Sequence, residues 1–190
     1  HCKKLADKPF LLFLSRVHQK KGIDLLIEAY SKWAIKDDKN IAFDLVIAGP
    51  GLETNYGKLL LKMVDKNGVI KNHIHFTGML SGDAKWGAFY GADAFILPSH
   101  QENFGIAIVE ALACNKPVLI SNKVNIWREI KNEHAGLVEN DDLIGTSNLL
   151  SKWEGLTFNE KNEYKEINGN HSTVLPNSSN KMISWSNSLN

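Results

Sequence analysis

Two glutamates, Glu102 and Glu110, stand eight positions apart in PSHQENFGIAIVEALACNKPVLIS, residues 98–121, with an Asn-Phe-Gly turn and a small apolar run between them. Ionised carboxylates only accept hydrogen bonds, and the vicinal hydroxyls of sugars offer donors in pairs. Glu102, in the loop ahead of a helix, is placed to reach a sugar. Glu110, two turns into the apolar run of Ile106, Ala107, Ile108, Val109, Ala111 and Leu112, is costly to bury unpaired; a ribose lying along the helix would pair it. Taken singly, each glutamate is as well explained as a helix N-terminal charge or an exposed helix residue.

A second stretch changes that balance. SRVHQKKG, residues 15–22, carries Arg16, Lys20 and Lys21 ahead of a glycine. It is neither the G-x-G-x-x-G of a dinucleotide fold nor a G-x-x-x-x-G-K-[ST] phosphate loop. Alone it is a solvated basic loop. With Gly105 opening a helix, whose N-terminal N–H groups favour anions, Arg16 and Lys21 would enclose a diphosphate. Arg offers a planar fork and Lys a point charge, so they suit differently placed oxygens. A carboxylate beside a diphosphate is repelled, which sends the glutamates to the sugars. The combination predicts a sugar-nucleotide site.

The elements that must position these residues alternate between short apolar runs and longer amphipathic ones. PFLLFLS, FDLVIAG, HIHFTG, AFILPS, KPVLIS and GLV are predicted strands. Between them, GIDLLIEAYSKWAI repeats Ile23, Leu26, Ile27, Tyr30 and Ala34 at helical spacing. NYGKLLLKMVDKNG predicts a helix stopped by Gly68 as its C-terminal cap, DAKWGAFYGA a helix interrupted by glycines, and IWREI a turn of helix. Strands alternating with helices predict an α/β fold, a doubly wound parallel sheet of about six strands with helices on both faces. Ligands then bind beyond the carboxyl ends of the strands, where both stretches fall.

The chain has 190 residues, 43% hydrophobic and 23% charged, with net charge +1. It is long enough to bury a core, and its charge gives no footprint for nucleic acid or an acidic membrane surface. Cys2 and Cys114 lack disulfide-framework or metal spacing, no run approaches a membrane span, and no secretory signal leads the chain, which points to the cytoplasm. The start at His1 suggests a piece of a longer protein. NHS and NSS match glycosylation sequons by chance on this reading. Residues 1–150 form the expected nucleotide-sugar-binding domain. Residues 151–190, rich in Asn, Ser and Lys, form a C-terminal tail whose Trp153, Leu156, Met182, Ile183, Trp185 and Leu189 would dock a helix or two. His100 is expected to pack its loop; His73, His75, His134 and His171 are structural or surface residues; Cys114 is a small buried apolar residue.

In order along the chain, SRVHQKKGIDLLIEAY, VIAGPG, HFTGMLSGDAKWGAFYGADAFILPS and ENFGIAIVEALACNKPVLIS resemble the C-terminal domain of retaining GT-B glycosyltransferases. The family is the large one, family four, that contains bacterial mannosyl-, glucosyl- and N-acetylglucosaminyltransferases. The resemblance spans Pro9 to Leu150 and implies a Rossmann-like half of a GT-B fold. It places Arg16 and Lys21 on the donor diphosphate and Glu102 on the donor sugar, these three being the catalytic groups. Asn103, Phe104, Gly105 and Ile106 would lend backbone groups to sugar and phosphate, and Glu110 would hold the ribose. The Leu80 backbone would meet the base, and Lys85 would lie near the nucleotide. Asn115 replaces the family's usual glycine, and Asn tolerates the left-handed conformation required there.

The resemblance implies no cofactor and no metal, in keeping with the lack of a D-x-D motif; the substrate would be a UDP- or GDP-linked sugar. The partners implied are a missing N-terminal acceptor domain, through which the full-length enzyme would touch a membrane peripherally, and a glycan or lipid-linked acceptor. A sugar-nucleotide epimerase and a non-catalytic nucleotide-sugar-binding module are the alternatives.

Overall fold

A computed structural model describes residues 8–36 and 41–173, the side chains of 36 and 169–173 apart. Six strands, β1 (Phe10–Leu14), β2 (Asp44–Ala48), β3 (Ile74–Gly78), β4 (Ala94–Leu97), β5 (Val118–Ser121) and β6 (Gly136–Glu139), form one sheet in the order β3-β2-β1-β4-β5-β6. Every pairing is parallel. Among the described residues the α-helices are α1 (Ile23–Lys36), α2 (Asn55–Asp65), α3 (Gly82–Gly91), α4 (Ile106–Ala113), α5 (Trp127–Asn132) and α6 (Leu143–Gly155), one after each strand, and then α7 (Phe158–Thr173). This is the expected doubly wound α/β architecture. β2, β4 and β5 are buried at every position, because helices cover both faces and leave no polar side to alternate with. Each fully buried Leu, Ile or Phe contributes about 1.5–3 kcal/mol.

Helix α1 buries its predicted stripe, Ile23, Leu26, Ile27, Tyr30 and Ala34. It packs on α6, where Trp33 Nε1 donates to Glu154 Oε2 at 2.6 Å. Helix α6 runs through residue 150 without a break and buries Trp153, while α7 packs against α4. Asn168 of α7 donates to Ala135 O at 3.4 Å, and Lys165 lies 4.0 Å from Asp93. Both partners sit just before strands, so α7 crosses the amino edge of the sheet. Met182, Ile183, Trp185 and Leu189, like Cys2 and the NSS sequon, lie outside what is described, as do the side chains of His171 and the NHS sequon, whose backbone belongs to α7.

Two local expectations are corrected. Gly68 does not cap α2: the helix ends at Asp65, Lys66 caps it in right-handed conformation, and Gly68 has no positive φ. Asn67 makes the turn, its N–H donating to Val64 O at 3.1 Å while its side-chain oxygen accepts from Val69 N–H at 3.1 Å. Nor do glycines interrupt α3, which is continuous from Gly82 to Gly91. Asn115 is left-handed, with φ 59°, and Cys114 is buried. His73 and His75 are structural. Both bond to Asp44, a carboxylate that the sequence reading passed over.

Candidate functional site

The strand order reverses between β1 and β4, and their exits make a crevice of the kind in which open α/β sheets bind ligands. Beyond β1, the backbone is pinned on either side of Arg16 by Ser15 N–H to Ala48 O at 3.0 Å and Val17 N–H to Pro50 O at 2.8 Å. One 3-10 turn, Gln19–Lys21, follows; the His18 ring accepts from Lys20 N–H at 3.1 Å, and Gly22 closes the turn at φ 66°. A Cβ on Gly22 would stand 2.2 Å from Pro98 O. That close approach brings the basic loop against the loop after β4.

Arg16, His18, Lys20, Lys21, Gln101, Glu102 and Asn103 line a cavity of ≈ 320 Å³ there, within the range of small-molecule sites. Three cations face one carboxylate. Lys21 Nζ pairs with Glu102 Oε2, and Lys20 Nζ donates to Gln101 Oε1 at 3.1 Å. The Glu102 backbone is fixed by the segment after β5: its N–H donates to Lys123 O at 3.2 Å, and its carbonyl accepts from Asn125 N–H at 3.0 Å.

The other carboxylate oxygen, Glu102 Oε1, accepts from Gly105 N–H at 3.2 Å. The Gly105 N–H is therefore occupied within the chain, contrary to the expectation that it faces a ligand; Gly105 contributes its left-handed φ of 64°. The Ile106 and Ala107 N–H groups begin the first turn of α4, whose opening N–H groups have no intrahelical partner. Since α4 starts at Ile106, Glu110 lies one turn in, not two. It is already paired, with Lys85 Nζ of α3 at 2.5 Å. Leu80, Lys85, Phe104, Ile106 and Glu110 do not line the cavity. Leu80 is half-buried ahead of α3, and Phe104 and Ile106 are exposed. His100 bonds Asp141 Oδ2 at 3.1 Å through Nδ1, which makes it a loop-packing residue.

His18 and Gln101 line the cavity although neither was singled out in the sequence, and Lys20 was noted only as part of the basic run. Their adjacency to Arg16 and Glu102 was the available signal. Which side chains meet across the two loops was not.

Residues 3–153 match the family described as glycosyl transferases group 1. The chain belongs to that family. Over 166 residues, 85% of its length, this group 1 chain is 31% identical to a glycosyltransferase of Methanocaldococcus jannaschii, of which it covers 40%. Over 142 residues, 71% of its length, it is 30% identical to a GDP-mannose-dependent alpha-(1-6)-phosphatidylinositol monomannoside mannosyltransferase of Mycobacterium tuberculosis, covering 35% of that protein.

Among solved structures, a glycosyltransferase from Rickettsia africae aligns with 99% of this chain and 49% of that one at TM-score 0.79 and 20% identity. An Anabaena protein in complex with UDP and glucose aligns with 98% and 49% at TM-score 0.78 and 17% identity. At these identities the likeness is one of fold, the Rossmann-like half of a GT-B glycosyltransferase. The chain spans less than half the length of the relatives and structures named here. Among its described residues, no helix is long and apolar enough to cross a membrane.

Proposed function

We propose that this chain binds the nucleotide-sugar donor of a retaining glycosyltransferase that passes a hexose-type sugar to a glycan or lipid-linked acceptor. The observation that carries this reading is the crevice between β1 and β4, where Arg16, Lys20 and Lys21 face Glu102. Membership of the glycosyl transferases group 1 family supports this reading. The mannosyltransferase that uses GDP-mannose and the fold neighbour that holds UDP support GDP or UDP as the nucleotide.

In the reaction, the bond between the anomeric carbon and the terminal phosphate oxygen breaks and negative charge grows on the departing nucleoside diphosphate. With the donor bound and Lys21 drawn from Glu102, Arg16 and Lys21 stand in place before that charge appears and stabilise it. The N–H groups of Ile106 and Ala107 add a helix terminus. Lys21 comes to this task paired with Glu102, so the diphosphate takes Lys21 as its partner and the carboxylate turns to the sugar hydroxyls. Glu110, steadied by Lys85, holds the ribose, and the Leu80 backbone meets the base. Asn103 and Phe104 offer backbone groups to the sugar. These cationic groups are the counter-charge, with no metal required. The acceptor is held by an N-terminal domain outside this span.

The test is calorimetric titration of the chain with UDP, GDP, ADP and TDP, each with and without its sugar, in the presence of a chelator. Metal-independent binding of at least one nucleoside diphosphate is expected. Binding that appears only with magnesium or manganese would remove the cationic site from the proposal, and no binding to any of the four would sink it.

A further inference from the structure

Two walls of the crevice come from segments far apart in sequence, and one buried hydroxyl reaches between them. Ser99, just past β4, is 0% exposed. Its Oγ lies 2.8 Å from Lys20 O and 2.9 Å from Gln101 O, so its single proton serves one or the other, and it accepts from Gln101 N–H at 3.4 Å. Lys20 O receives a second donor, His100 N–H, at 2.9 Å.

On its other side, Ser99 O accepts from the hydroxyl of Ser121, the last residue of β5. That hydroxyl accepts in turn from Lys123 N–H at 3.3 Å, and Lys123 O accepts the Glu102 N–H at 3.2 Å. The relay therefore starts at the basic loop, passes through two buried serines and ends on the backbone of Glu102. Lys20, Gln101 and Glu102, three of the groups it ties, all line the cavity.

We propose that Ser99, backed by Ser121, is a positioning residue: it sets the separation of the Lys20–Lys21 turn from Glu102. The relay touches no ligand and acts through the residues that do. The hydroxyl gives Lys20 O a second donor from the loop after β4, beside His100 N–H; alanine would leave it with His100 N–H alone. The effect on ligand affinity rests on the donor-site reading, whereas the effect on loop order does not.

The experiment compares Ser99→Ala and Ser121→Ala with Thr146→Ala. Thr146 is an equally buried hydroxyl on α6 that donates to Asp142 O at 2.8 Å and does not line the cavity. Each variant is titrated with the nucleoside diphosphate that wild type binds, and backbone hydrogen exchange is measured on all. Both serine variants should bind it roughly 3–10-fold more weakly, the scale of one neutral hydrogen bond. Exchange at the His100 and Glu102 amides should accelerate by a similar factor while Leu12, Phe95 and Leu119 keep their protection. Thr146→Ala should lower the melting temperature and change neither readout. Unchanged affinity and exchange in both serine variants would overturn the proposal, as would a Thr146→Ala that weakens binding equally. If wild type binds no nucleoside diphosphate, the donor reading fails, and the exchange of His100 and Glu102 in Ser99→Ala still decides the clamp: retained protection refutes it.

Discussion

Lys21 and Glu102, 81 positions apart in sequence, form an ion pair whose side chains are only 14% and 18% exposed. The pair ties the basic turn after β1 to the loop after β4 and leaves the crevice with Arg16 and Lys20 as its remaining cations. A donor diphosphate has to draw Lys21 away from its carboxylate. Arg16→Ala and Lys21→Ala should each weaken nucleoside diphosphate binding about tenfold or more, since a charged hydrogen bond is worth ~1.5–3 kcal/mol. Circular dichroism should show both variants folded. Unchanged affinity in both would remove the diphosphate assignment.

The two glutamates should separate by ligand. Glu102→Gln releases Lys21, so affinity for bare UDP or GDP should hold or rise, while affinity for the sugar nucleotide falls. Glu110→Gln should weaken both ligands, because the ribose is common to them. A Glu102→Gln variant that loses bare nucleotide as badly as Glu110→Gln does would show the roles to be misassigned.

Gly22→Ala tests the contact that brings the two loops together. The added Cβ would stand 2.2 Å from Pro98 O, at a φ of 66° that costs an L-residue roughly 1–2 kcal/mol even without a clash. The expected result is a lower melting temperature together with weakened nucleotide binding. Gly68→Ala, where nothing lies within 4 Å of the added atom and φ is not positive, should bind as wild type. Equal losses in the two variants would count against the contact.

At the amino ends of the strands, the side chain of Asp44 is 7% exposed. It bonds Lys8 at 2.7 Å, His73 at 2.9 Å and His75 at 2.8 Å. The His73 Nδ1 is also 3.0 Å from Lys8 Nζ, so it donates to Asp44 or accepts from Lys8, but not both. Burial alone would raise the Asp44 carboxyl; the hydrogen bonds from Lys8, His73 and His75, with the Lys8 charge, outweigh it and hold the carboxyl below its usual range. A depressed folded value means that this stabilisation is present above the unfolded value of about 3.9 and is lost as pH falls through the folded one. Thermal unfolding followed from pH 7 to pH 2 should show a steep acid limb that Asp44→Asn flattens. The same substitution should cost about 1–3 kcal/mol at pH 7. An identical acid limb in the variant would remove Asp44 as its source.

The 190-residue chain by itself should hydrolyse a donor slowly at most and transfer sugar to no acceptor. Holding a nucleophile beside the anomeric carbon accounts for ~7–11 kcal/mol of a barrier, and the groups proposed to do so lie outside this span. Mass spectrometry after incubation with sugar nucleotide and candidate glycan or lipid acceptors checks this. Abundant glycosylated product would refute it.

The sequence by itself determined the alternation of strands and helices, the buried stripe of α1, and the presence of both the cationic turn and the two glutamates at strand exits. Those features are local: periodicity, glycine placement and residue type act over a few positions. What only the tertiary structure decided is who meets whom. The order β3-β2-β1-β4-β5-β6 sets β1 beside β4 across some eighty residues, and from that neighbourhood come Lys21 against Glu102 and Ser99 against Lys20. Lys85 against Glu110 and Asp44 among Lys8, His73 and His75 are likewise set by packing between elements. The Gly105 N–H was expected to face a ligand because a helix end is legible in sequence. That it is taken by Glu102 depends on a side-chain rotamer and a loop path, which a one-dimensional pattern does not encode. Gly68 failed as a cap for a related reason: Asn67 supplied local hydrogen bonds that ended the helix earlier. The pairing energies that shape this crevice arise between residues distant in sequence, and the chain had to fold before they existed.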